Sequence, residues 1–576
     1  MHRTFETSTT RRQHSLDGLW EFVLDPADDG LEAGYHGDFP DDADRIDVPA
    51  PWNVAGDAAE AEYESPAWYR RTFDLPEETT GVLTFHGVCH DATVWLDGER
   101  VASHYGGHTP ISVVDGFEAG THELVVRADN TRDERSIPRP GTDWFPYGGI
   151  TREVVLEVVP DIFVEDLRVE YELDDDSDRA AMTATVTVRN EGETTDRSVS
   201  VELVDEALEG EAEAEADTET EIDPGTTQIE LDLEADVERW SPHDEDPQLY
   251  TVVATVGSGD RADELRERIG FRTVAVTETD ILVNGEPVEL LGVNRHEDHP
   301  EWGHTQPLRL QRLDLDVIED AGMNTVRTSH YPNHPRFLDC CDERGILVLE
   351  EIPYWQFDAD RFAREGVLER GETTLREMIG RDRHHPSILA WSLTNECANE
   401  EEGVREATEK LADVARGLDD RPLTLASNNY HPDGDGEDLC LEHVDFVCMN
   451  AYPGWYQEGD YADVIEGVRE DFPEMPIVAS EFGAGAVFGE RTRENQKWSE
   501  GYQADFVEDA VETFRETECV AGFTIWQYCD TRTDPRNWAT RPKTKNNKGI
   551  VDEYRRPKEA YNRVRDLLEA DGDGDR

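Results

Sequence analysis

The run ILAWSLTNE, residues 388–396, is an apolar stretch that ends on two polar residues, Asn395 and Glu396. Seven further runs of apolar, β-like character occur between residues 289 and 527. The eight runs read, in order, ELLGVN, NTVRTS, ILVLEE, ILAWSL, LTLASN, DFVCMN, PIVASE and AGFTIWQ. Helical stretches such as LRLQRLDLDVIEDAG and RFLDCCDERG separate several of them, so we predict a (β/α)8 barrel over residues 277–576. A doubly wound sheet is the alternative, but no glycine fingerprint follows any of the strands.

The first half of the chain is rich in short alternating strands separated by turn residues, which is typical of β-sandwich domains. LDGLWEFVLD, AWYRRTFDLP and ATVWLDGERV belong to a first block, and IFVEDLRVEYEL and AAMTATVTVRNEG belong to a second. We predict a jelly-roll sandwich over residues 1–160 and an immunoglobulin-like sandwich over residues 161–276. Within the second block, the acidic stretch EALEGEAEAEADTETEIDPG, residues 206–225, is predicted to be a solvated loop.

The charge of the chain is extreme, because 131 Asp and Glu against 54 Lys and Arg give a formal net charge of −77. This charge is spread over the whole length, and only six of the basic residues are Lys. Such a field repels nucleic acid and anionic membranes, and it keeps a protein soluble where salt screens other charges. We therefore expect a salt-adapted protein with no nucleic-acid or membrane partner. The 13 Trp, 17 Tyr and 19 Phe argue against an acidic disordered chain.

The cysteines and the N-terminus bear on the compartment. The eight Cys are scattered without a C-x-x-C pair, which favours reduced thiols in a reducing compartment. The first residues, MHRTFETSTTRRQHSLDGLWEF, contain no apolar segment of a signal peptide, and no run of 18 apolar residues occurs. We expect a soluble, cytoplasmic protein, with a homo-oligomer left open.

Polar residues follow almost every predicted barrel strand. Catalytic groups of such barrels lie at the carboxyl ends of the strands, so these residues should surround one site. Glu396 ends the fourth strand and Glu481 ends the seventh, and strands three apart in a ring of eight lie nearly opposite each other across the mouth. By contrast, Glu400 to Glu402 lie in a charged cluster that we expect to face solvent. The other strand-end residues are Asn294 to His296, Arg327, His330, Glu350, Glu351, Asn428, Asn450, Tyr452 and Trp526.

Two carboxylates across one pocket are what cleavage of a glycosidic bond requires. One must be protonated to deliver a proton to the leaving oxygen, and the other must be ionised to attack the anomeric carbon. Retention of configuration places the two groups roughly 5–5.5 Å apart, whereas inversion needs a wider gap that holds a water. Burial and a neighbouring negative charge both raise the pKa of a carboxyl group, so one of the pair can hold a proton near neutrality. The plain alternative is that each Glu caps a strand or pairs with an Arg.

Four motifs give the chain a clear resemblance to a known family. GVNRHEDH, NTVRTSHYPN, WSLTNE and SEFGA resemble segments of glycoside hydrolase family 2, the group of β-galactosidases, β-glucuronidases and β-mannosidases. The resemblance covers nearly the whole chain and implies an N-terminal jelly-roll sugar-binding-like domain, an immunoglobulin-like middle domain and a catalytic barrel. It also implies a retaining reaction through a covalent glycosyl-enzyme intermediate, with Glu396 as general acid/base and Glu481 as nucleophile.

The same resemblance implies roles for further residues. Asn395 would hydrogen-bond the sugar 2-hydroxyl, and Tyr452 would lie beside the nucleophile and tune its charge. His296 and Trp526 would shape the sugar subsite. Further substrate-binding candidates are Asn450 and Tyr456, in the segment NAYPGWY.

The stretch KTKNNKG, residues 543–549, bears on the identity of the sugar. Of the six Lys in the chain, four fall between Lys543 and Lys558, after the eighth strand, and a cationic pocket edge suits a substrate carboxylate. β-Glucuronidases of the family carry an N-x-K motif here that binds the uronate carboxylate, and Asn546 and Lys548 match it. Asp143, in DWFPYGGI, resembles the segment with which their first domain reaches the sugar. The alternative is that these Lys offset acidic residues on a loop.

Some features depart from the β-glucuronidase pattern. Ala451 stands where a larger polar residue is usual, DTRTDPRNWATRPKTK differs in the region of an arginine contact, and GVNRHEDH mixes β-galactosidase and β-glucuronidase features. We predict hydrolysis of terminal β-D-glucuronides, with β-galactosidase, β-galacturonidase or another β-hexosidase activity as alternatives. An inactive carbohydrate-binding scaffold is the non-enzymatic alternative, although Glu396, Glu481 and Asn395 are all present.

No metal or other cofactor is predicted. His296, Glu297, Asp298 and His299 are metal ligands by residue type, but their spacing does not define a tetrahedral site. Cys397, next to Glu396, has no His base assigned to it and is predicted to be a packing residue. The expected partner is a small glycoside or the end of an oligosaccharide.

Overall fold

The computed structural model of the protein describes residues 2–56, 60–174, 177–205, 212–259, 262–432 and 436–572. Its first part is a sandwich of two antiparallel sheets whose buried side chains form one core. The four-stranded sheet contains, in spatial order, Arg12–Ser15, Val154–Val159, Thr79–Phe85 and Ile111–Phe117. The six-stranded sheet contains Asp44–Val48, Gly18–Leu24, Pro66–Leu75, Gly120–Asp129, Asp91–Leu96 and Glu99–Tyr105. The pair Val88–Cys89 and Gly149–Ile150 and the short helices Gly30–Ala33 and Trp52–Ala55 complete this sandwich.

A second sandwich follows, with its own core. Its three-stranded sheet contains Ile162–Leu173, Arg179–Asn190 and Gly225–Asp236. Its four-stranded sheet contains, in spatial order, Ala212–Ile222, Thr195–Asp205, Tyr250–Val256 and Asp263–Ile269. Together the two sandwiches and the barrel described below confirm the predicted fold class.

One strand of the second sandwich corrects the sequence analysis. The solvated loop predicted over residues 206–225 is wrong for most of its length, because Ala212–Ile222 is an edge strand paired antiparallel with Thr195–Asp205. Small residues such as Ala214 and Ala216 are half-buried, while acidic residues fill the exposed alternate positions. An edge strand needs only one weakly apolar face, and charged side chains on its other face are common. Residues 206–211 lie outside the described residues.

The eight predicted runs form a closed barrel of parallel strands. They are β1 (Leu290–Asn294), β2 (Thr325–Thr328), β3 (Leu347–Glu351), β4 (Ile388–Asn395), β5 (Leu423–Ser427), β6 (Val447–Asn450), β7 (Ile477–Glu481) and β8 (Val520–Ile525). Every residue of β4 is buried, as is typical of a parallel strand between a filled interior and an outer layer of helices. Strand β8 pairs with β1 and closes the ring.

Helices cover the outside of the barrel. They are α1 (Leu308–Asp320), α2 (Pro335–Asp342), α3 (Ala359–Phe362), α4 (Val367–Asp382), α5 (Glu402–Arg416), α6 (Tyr461–Asp471), α7 (Glu500–Arg515) and α8 (Glu559–Gly572). Each long helix buries one stripe; α5, for example, buries Val404, Ala407, Leu411 and Ala415 at intervals of three and four residues. Short 3-10 helices occur at Leu441–His443, Pro535–Thr540 and Pro542–Thr544, and Thr531–Arg532 pairs with Lys545–Asn546. None of the helices in the described ranges combines the length and the apolar character that a membrane crossing needs.

A small sheet closes the amino-terminal end of the barrel. It consists of Val274–Val276, Ile281–Val283 and Glu286–Pro287, and its apolar side chains join Leu347 and Leu389 in one core cluster. The division into residues 1–160, 161–276 and 277–576 stays a prediction, and the strand Val274–Val276 pairs across its last boundary with Ile281–Val283.

The first sandwich is attached to the barrel close to the carboxyl ends of the strands. Arg152, which is buried, donates hydrogen bonds to Glu297 Oε2 at 3.0 Å and to the Pro332 carbonyl at 2.9 Å. The neighbouring Glu153 accepts hydrogen bonds from His334 at 2.9 Å and from Arg336 at 2.8 Å. These contacts hold the first sandwich, and with it the segment that carries Asp143, at the mouth of the barrel.

Candidate active site

The carboxyl ends of the barrel strands surround one cavity of about 430 Å³. Most of the site residues predicted from the sequence line it, namely Asp143, Glu396, Asn450, Tyr452, Tyr456, Glu481, Trp526 and Lys548. The remaining three, His296, Asn395 and Asn546, lie behind this wall and contact residues that line it. The structure therefore brings all the predicted positions into one region of the molecule.

Glu396 reaches the cavity because the end of β4 is irregular. The register between β4 and β5 shifts between Ser392 and Asn395, and Glu396 follows in the left-handed region with a φ of 50°. This conformation is uncommon outside glycine and turns the side chain away from the direction of the strand. Its carboxylate accepts hydrogen bonds from two neutral amides, Gln356 Nε2 at 2.9 Å and Asn450 Nδ2 at 3.2 Å.

Glu481 is the last residue of β7 and faces a cation. Its Oε1 atom accepts a hydrogen bond from Arg327 Nη1 at 2.8 Å, and its Oε2 atom accepts one from the Tyr452 hydroxyl at 2.9 Å. The motif SEFGA continues with Gly483, whose φ is 154° and where a Cβ atom would lie 2.3 Å from the Trp526 carbonyl oxygen. Only glycine allows β7 and β8 to approach this closely beside the carboxylate.

A chain of hydrogen bonds joins Glu481 to Glu396. Arg327, buried on β2, donates from Nη2 to Asn395 Oδ1 at 2.7 Å, and Asn450 Nδ2 donates to the same oxygen at 3.0 Å. The Nδ2 amide of Asn395 is buried and has no hydrogen-bond partner among the described residues. Asn395 is thus held by its oxygen while its donor is free for another group.

The two carboxyl groups are electrostatically coupled. Burial raises the pKa of Glu481 to about 8, the charge of Glu396 adds to the rise, and Arg327 and Tyr452 oppose it. Burial also raises the pKa of Glu396, against the hydrogen bonds of Gln356 and Asn450. Two buried carboxyls that repel each other share a proton over a wide pH range. Within this pair the proton is favoured on Glu396, because the guanidinium contacts Glu481 whereas Glu396 meets only neutral amides.

Lys548 supplies a buried positive charge at the other side of the cavity. The residue is only 3% exposed, and its Nζ atom donates to the Tyr456 hydroxyl at 2.7 Å. The same ammonium lies 5.2 Å from the centre of the Tyr452 ring and 4.8 Å from that of Tyr456. Within the described part of the chain, no carboxylate forms a salt bridge with it. A buried cation without an anionic partner is costly, so the site is complete only when an anion approaches.

The other lysines between Lys543 and Lys558 differ from Lys548 in their partners or exposure. Lys545 pairs with Glu553 at 2.5 Å, Lys558 pairs with Asp530 at 2.7 Å, and Lys543 is exposed. The alternative that these lysines offset local acidic residues therefore holds for Lys545 and Lys558 and not for Lys548.

Asp143 lies in the cavity wall, but its carboxylate is already occupied. Arg541 donates to both carboxylate oxygens, to Oδ1 at 2.6 Å, and Asn546 Nδ2 lies 3.5 Å from Oδ2. Asn546 also accepts a hydrogen bond from the backbone N–H of Lys548 at 3.3 Å. Asp143 and Asn546 thus position Arg541 and the Lys548 loop, and Arg541 places a second cation in the cavity wall.

Aromatic rings form the floor beside Glu481. Trp526 stacks on His330 with ring centres 5.1 Å apart, and His296 packs edge-on against Trp526 at 5.4 Å. His296 also meets the Tyr331 hydroxyl at 3.3 Å, and burial lowers its pKa, so its ring is neutral. His296 therefore acts on the cavity through Trp526 and His330. The Nε2 atom of His330 lies 4.0 Å from Glu481 Oε1.

The acidic and histidine residues beside the cavity have protein partners. Glu297 pairs with Arg152, and Asp298 accepts hydrogen bonds from the Tyr147 hydroxyl at 2.6 Å and from the Arg532 backbone at 2.8 Å. Elsewhere, Asp339, Asp342 and His385 have ligand-type atoms within 4.8 Å of one another. Asp339 there binds the Arg3 guanidinium at 2.8 Å, so this group is an ion-pair network that fastens the N-terminus to the barrel.

A second opening of about 590 Å³ adjoins the cavity on the far side of Glu396. Gln356, Glu396, Asn428 and His431 line both spaces. The second opening also contains the carboxylates of Asp358, Glu400 and Glu437. The first space therefore contains both cations and carboxylates, whereas the described residues that line the second include acidic side chains and neither Lys nor Arg, and Glu396 lies between the two.

The sequence analysis missed several residues of the site. Gln356, Trp355, Arg139 and Arg541 line the cavity, yet they come from connecting segments in which no periodic pattern marks them. The nearest signal in the sequence was that functional residues follow the carboxyl ends of barrel strands, because Trp355 and Gln356 come only a few residues after β3. For Arg541, the only signal was that it begins the basic segment that leads to Lys548.

Two buried carboxyl groups that face one cavity at the mouth of a (β/α)8 barrel are the arrangement that a glycoside hydrolase requires. The chain belongs to glycosyl hydrolases family 2, whose TIM barrel model matches residues 274–570. The family's central model matches residues 162–272, and its sugar binding domain matches residues 13–160. This confirms the predicted family and the prediction of an enzyme.

Relatives with known names are similar over the whole length. A beta-glucuronidase of Paenibacillus borealis is 29% identical over 96% of this chain and 96% of its own. The solved structure of a GH2 beta-galacturonidase from Eisenbergiella tayi bound to galacturonate is 34% identical, covers 99% of both chains and has a TM-score of 0.88. A beta-glucuronidase from Ruminococcus gnavus is 28% identical, covers 98% of this chain and 99% of its own, and has a TM-score of 0.85.

Proposed function

We propose that this enzyme removes terminal β-D-glucuronic acid from glycosides. The observation that carries the proposal is Lys548, a buried ammonium that has no carboxylate partner among the described residues and lines the same cavity as Glu396 and Glu481. A sugar that carries a carboxylate at C6 would supply the missing anion. The named relatives, which include beta-glucuronidases of two bacteria, support this choice.

Glu481 is proposed as the nucleophile and Glu396 as the general acid/base of a retaining reaction. Arg327 and Tyr452 favour the ionised form of Glu481, which attacks the anomeric carbon while Glu396 protonates the leaving oxygen. The C–O bond to the leaving group breaks as the glycosyl–Glu481 ester forms. Glu396, now ionised, then takes a proton from a water that attacks the same carbon, and Glu481 leaves as a carboxylate.

The remaining predicted residues are proposed to hold the sugar. The free amide of Asn395 suits the 2-hydroxyl, and Trp526 offers an apolar face to the ring. Tyr456 and Lys548 would share the uronate carboxylate, with Asn546 holding the loop that carries Lys548. Asn450 orients Asn395 and Glu396 together, and His296 supports Trp526 from behind.

A β-galacturonide is the second candidate substrate. Galacturonate has the same carboxylate as glucuronate and differs only in the configuration at C4, so Lys548 suits both sugars equally. The solved galacturonidase is 34% identical to this chain, against 28% for the solved glucuronidase. The orientation of the 4-hydroxyl distinguishes these two uronides from each other. It does not distinguish a uronide from a neutral sugar.

Hydrolysis of three 4-nitrophenyl glycosides in molar KCl tests the proposal. We expect turnover of the β-D-glucuronide, weaker turnover of the β-D-galacturonide, and the slowest turnover of the β-D-galactoside. Faster turnover of the galactoside than of either uronide would refute the role of Lys548. Lack of turnover on every glycoside by a folded protein would instead support an inactive carbohydrate-binding scaffold.

We further propose that the enzyme works in a salt-rich, reducing cytoplasm. The net charge of −77 and the scarcity of Lys support the salt adaptation. All eight cysteines are free thiols, seven of them buried, which suits a reducing compartment. A homo-oligomer stays a prediction that a mass from light scattering would check.

A further inference from the structure

Glu351 is a third buried carboxyl group next to the active site, and the proposed reaction does not use it. It is the last residue of β3 and is fully buried. Its side chain faces the barrel interior together with that of Leu349, because side chains two positions apart lie on the same face of a strand. Glu351 does not line the cavity between Glu396 and Glu481, so it acts on the reaction only through other side chains.

Four hydrogen bonds hold the carboxylate of Glu351. Its Oε2 atom accepts from Arg327 Nη2 at 2.7 Å, from Arg327 Nε at 3.2 Å and from the Ser392 hydroxyl at 2.6 Å. Its Oε1 atom lies 2.7 Å from His330 Nδ1. Burial opposes ionisation of Glu351, but the charge of Arg327 and these hydrogen bonds outweigh it, so the pKa of Glu351 lies below its usual value. Glu351 therefore carries a negative charge beside the site.

The guanidinium of Arg327 contacts two carboxylates. It donates two hydrogen bonds to Glu351 and one, from Nη1 at 2.8 Å, to Glu481. Because one positive charge is divided between two anions, Glu481 is stabilised less than it would be in an undivided ion pair. A less stabilised carboxylate is a more reactive nucleophile. Glu351 thus limits how far Arg327 lowers the reactivity of Glu481.

Glu351 also fixes the tautomer of His330. An ionised carboxylate can only accept a hydrogen bond, so Nδ1 carries the proton and Nε2 of the neutral ring keeps its lone pair. Burial lowers the pKa of His330 although Glu351 opposes this, and the ring is therefore neutral. The Nε2 atom lies 4.0 Å from Glu481 Oε1 and has no hydrogen-bond partner among the described residues. His330 thus directs an acceptor, and not a proton, toward Glu481.

We propose that Glu351 is a positioning residue that divides the charge of Arg327, fixes the tautomer of His330 and so keeps Glu481 reactive as the nucleophile. This inference rests on the proposed retaining reaction, but it does not depend on which sugar is cleaved. A carboxylate that served only to offset the buried charge of Arg327 would contribute to the free energy of unfolding and not to the pH dependence of turnover.

The titratable groups around Glu351 and Glu481 come from β2, β4 and β6 and from the residues that follow these strands. They are Arg327, His330, Glu396, Cys397, Cys448 and Tyr452. Burial raises the pKa of the Cys397 and Cys448 thiols to about 12 and about 11, and it also raises that of Tyr452. These three groups stay neutral near pH 7, so the ionisation of Glu481 can be followed there beside that of Glu396.

The pH dependence of kcat/KM tests the proposal, on whichever 4-nitrophenyl glycoside the wild type hydrolyses fastest. In Glu351→Gln, the amide oxygen replaces the acceptor of Arg327, and the amide nitrogen faces His330 Nδ1. The charge of Arg327 is then directed to Glu481 alone, and the other tautomer of His330 presents Nε2–H to Glu481. Both changes favour ionised Glu481, so the acid limb should move to lower pH by about one unit or more, as expected for the loss of one nearby charge. The value of kcat should fall several-fold, because Glu481 becomes a weaker nucleophile.

Two further variants separate charge from geometry and from stability. Glu351→Asp keeps the charge but withdraws it by one methylene group. Its acid limb should stay near that of the wild type, while kcat/KM falls about tenfold or more because Arg327 and His330 lose their positions. Asp339→Asn removes another buried carboxylate, which pairs with Arg3 and does not line the cavity. It should lower the free energy of unfolding and leave the pH profile unchanged.

The outcomes distinguish this inference from the proposed function. An active wild type with an acid limb that stays in place or moves upward in Glu351→Gln overturns the inference alone, as does an equal shift in Asp339→Asn. A folded wild type that hydrolyses no glycoside overturns the proposed function and this inference with it. If Glu351→Gln does not fold, Glu351→Asp decides, and full activity of that variant overturns the positioning role.

Discussion

The guanidinium of Arg327 lies 2.8 Å from Glu481 through Nη1 and 2.7 Å from Asn395 through Nη2. The buried guanidinium of Arg327 therefore favours the ionised form of Glu481 and also orients Asn395, the residue that precedes Glu396. Because Asn395 and Glu396 are consecutive at the end of β4, the geometry of both carboxyl groups depends on this single side chain.

Replacing each catalytic candidate should give a different kinetic signature. Glu481→Gln should lose at least about 10³-fold in kcat on every glycoside, because no other group is placed to attack the anomeric carbon. Glu396→Gln should lose as much in kcat/KM on a poor leaving group but far less in kcat/KM on 2,4-dinitrophenyl β-D-glucuronide, because dinitrophenolate departs without a proton and kcat/KM does not include the later step in which Glu396 acts as base. The measurement is the steady-state kinetics of both variants on one substrate with a poor leaving group and one with a good leaving group. If Glu481→Gln, and not Glu396→Gln, were the variant rescued by the good leaving group, the two roles would be reversed.

Lys548→Gln should separate uronides from neutral sugars. Loss of a buried charge that contacts a carboxylate costs about 2–3 kcal/mol, so kcat/KM for the glucuronide should fall roughly 30- to 150-fold. Turnover of the galactoside should change by no more than a few-fold. Lys543→Gln removes an exposed lysine from the same segment and serves as the matched control. Equal losses on both sugars would count against a carboxylate contact.

The pH profile of kcat/KM should be bell-shaped, because the active pair must hold one proton. The acid limb should report ionisation of the nucleophile Glu481, whose pKa burial and the charge of Glu396 raise, and the alkaline limb should report loss of the proton from the general acid Glu396, whose pKa burial also raises. Tyr452→Phe removes a hydrogen bond that lowers the pKa of Glu481. The nucleophile then ionises at higher pH, and the acid limb should move upward.

Tyr430→Phe provides the control for this pH shift. Tyr430 lines the same cavity, but its hydroxyl donates to Asp471 at 2.9 Å and bonds neither catalytic carboxylate. Its profile should match that of the wild type. An acid limb that stays in place in Tyr452→Phe, or that moves equally in both variants, would exclude the proposed influence of Tyr452.

The junction between the first sandwich and the barrel should be a large source of stability. Arg152→Gln leaves Glu297 buried without its cation, which costs about 3–5 kcal/mol of unfolding free energy. Urea unfolding at constant KCl measures the change. The surface arginine Arg405, paired with the exposed Glu402, is the control, and Arg405→Gln should leave the stability nearly unchanged. Similar losses in the two variants would contradict the buried role of Arg152.

The acidic space beyond Glu396 should select against anionic leaving groups. The carboxylates of Asp358, Glu400 and Glu437 line it, so 4-carboxyphenyl β-D-glucuronide should be hydrolysed several-fold more slowly than the 4-carbamoylphenyl compound. A 4-trimethylammoniophenyl glucuronide should reverse the preference. The ratio of the carbamoyl rate to the carboxy rate should fall in the double variant Glu400→Gln/Glu437→Gln. It should stay constant in the double variant Glu213→Gln/Glu215→Gln, on the edge strand Ala212–Ile222. A ratio that follows only the acidity of the phenol would refute this selectivity.

The barrel could be predicted from the sequence because its strands are buried on both faces. Such strands read as continuous apolar runs, and the first polar residues after them mark the carboxyl ends, as at Glu396 and Glu481. The edge strand Ala212–Ile222 was missed because its acidic composition is typical of a solvated loop. Only the alternation of acidic residues with small or apolar ones indicates a strand there.

The rest of the site depends on contacts between distant parts of the chain. Arg541 reaches Asp143 across 398 positions, and Gln356 reaches Glu396 from another loop. Loops carry no hydrophobic period from which such contacts could be read. The prediction that Asp143 contacts the sugar stays a prediction, and its ion pair with Arg541 could not be read from the sequence. Likewise, only the structure shows that Lys545 and Lys558 have carboxylate partners while Lys548 has none among the described residues.

The buried ammonium of Lys548 lies inside a body whose formal charge is −77. A uronide diffusing toward this surface meets like charge at long range and opposite charge only on contact, so dilute solution slows its encounter with the cavity. Dissolved cations that gather around the acidic exterior shorten the reach of that repulsion to a few ångströms at molar concentration. Molar salt would thus speed the capture of an acidic sugar by this cavity.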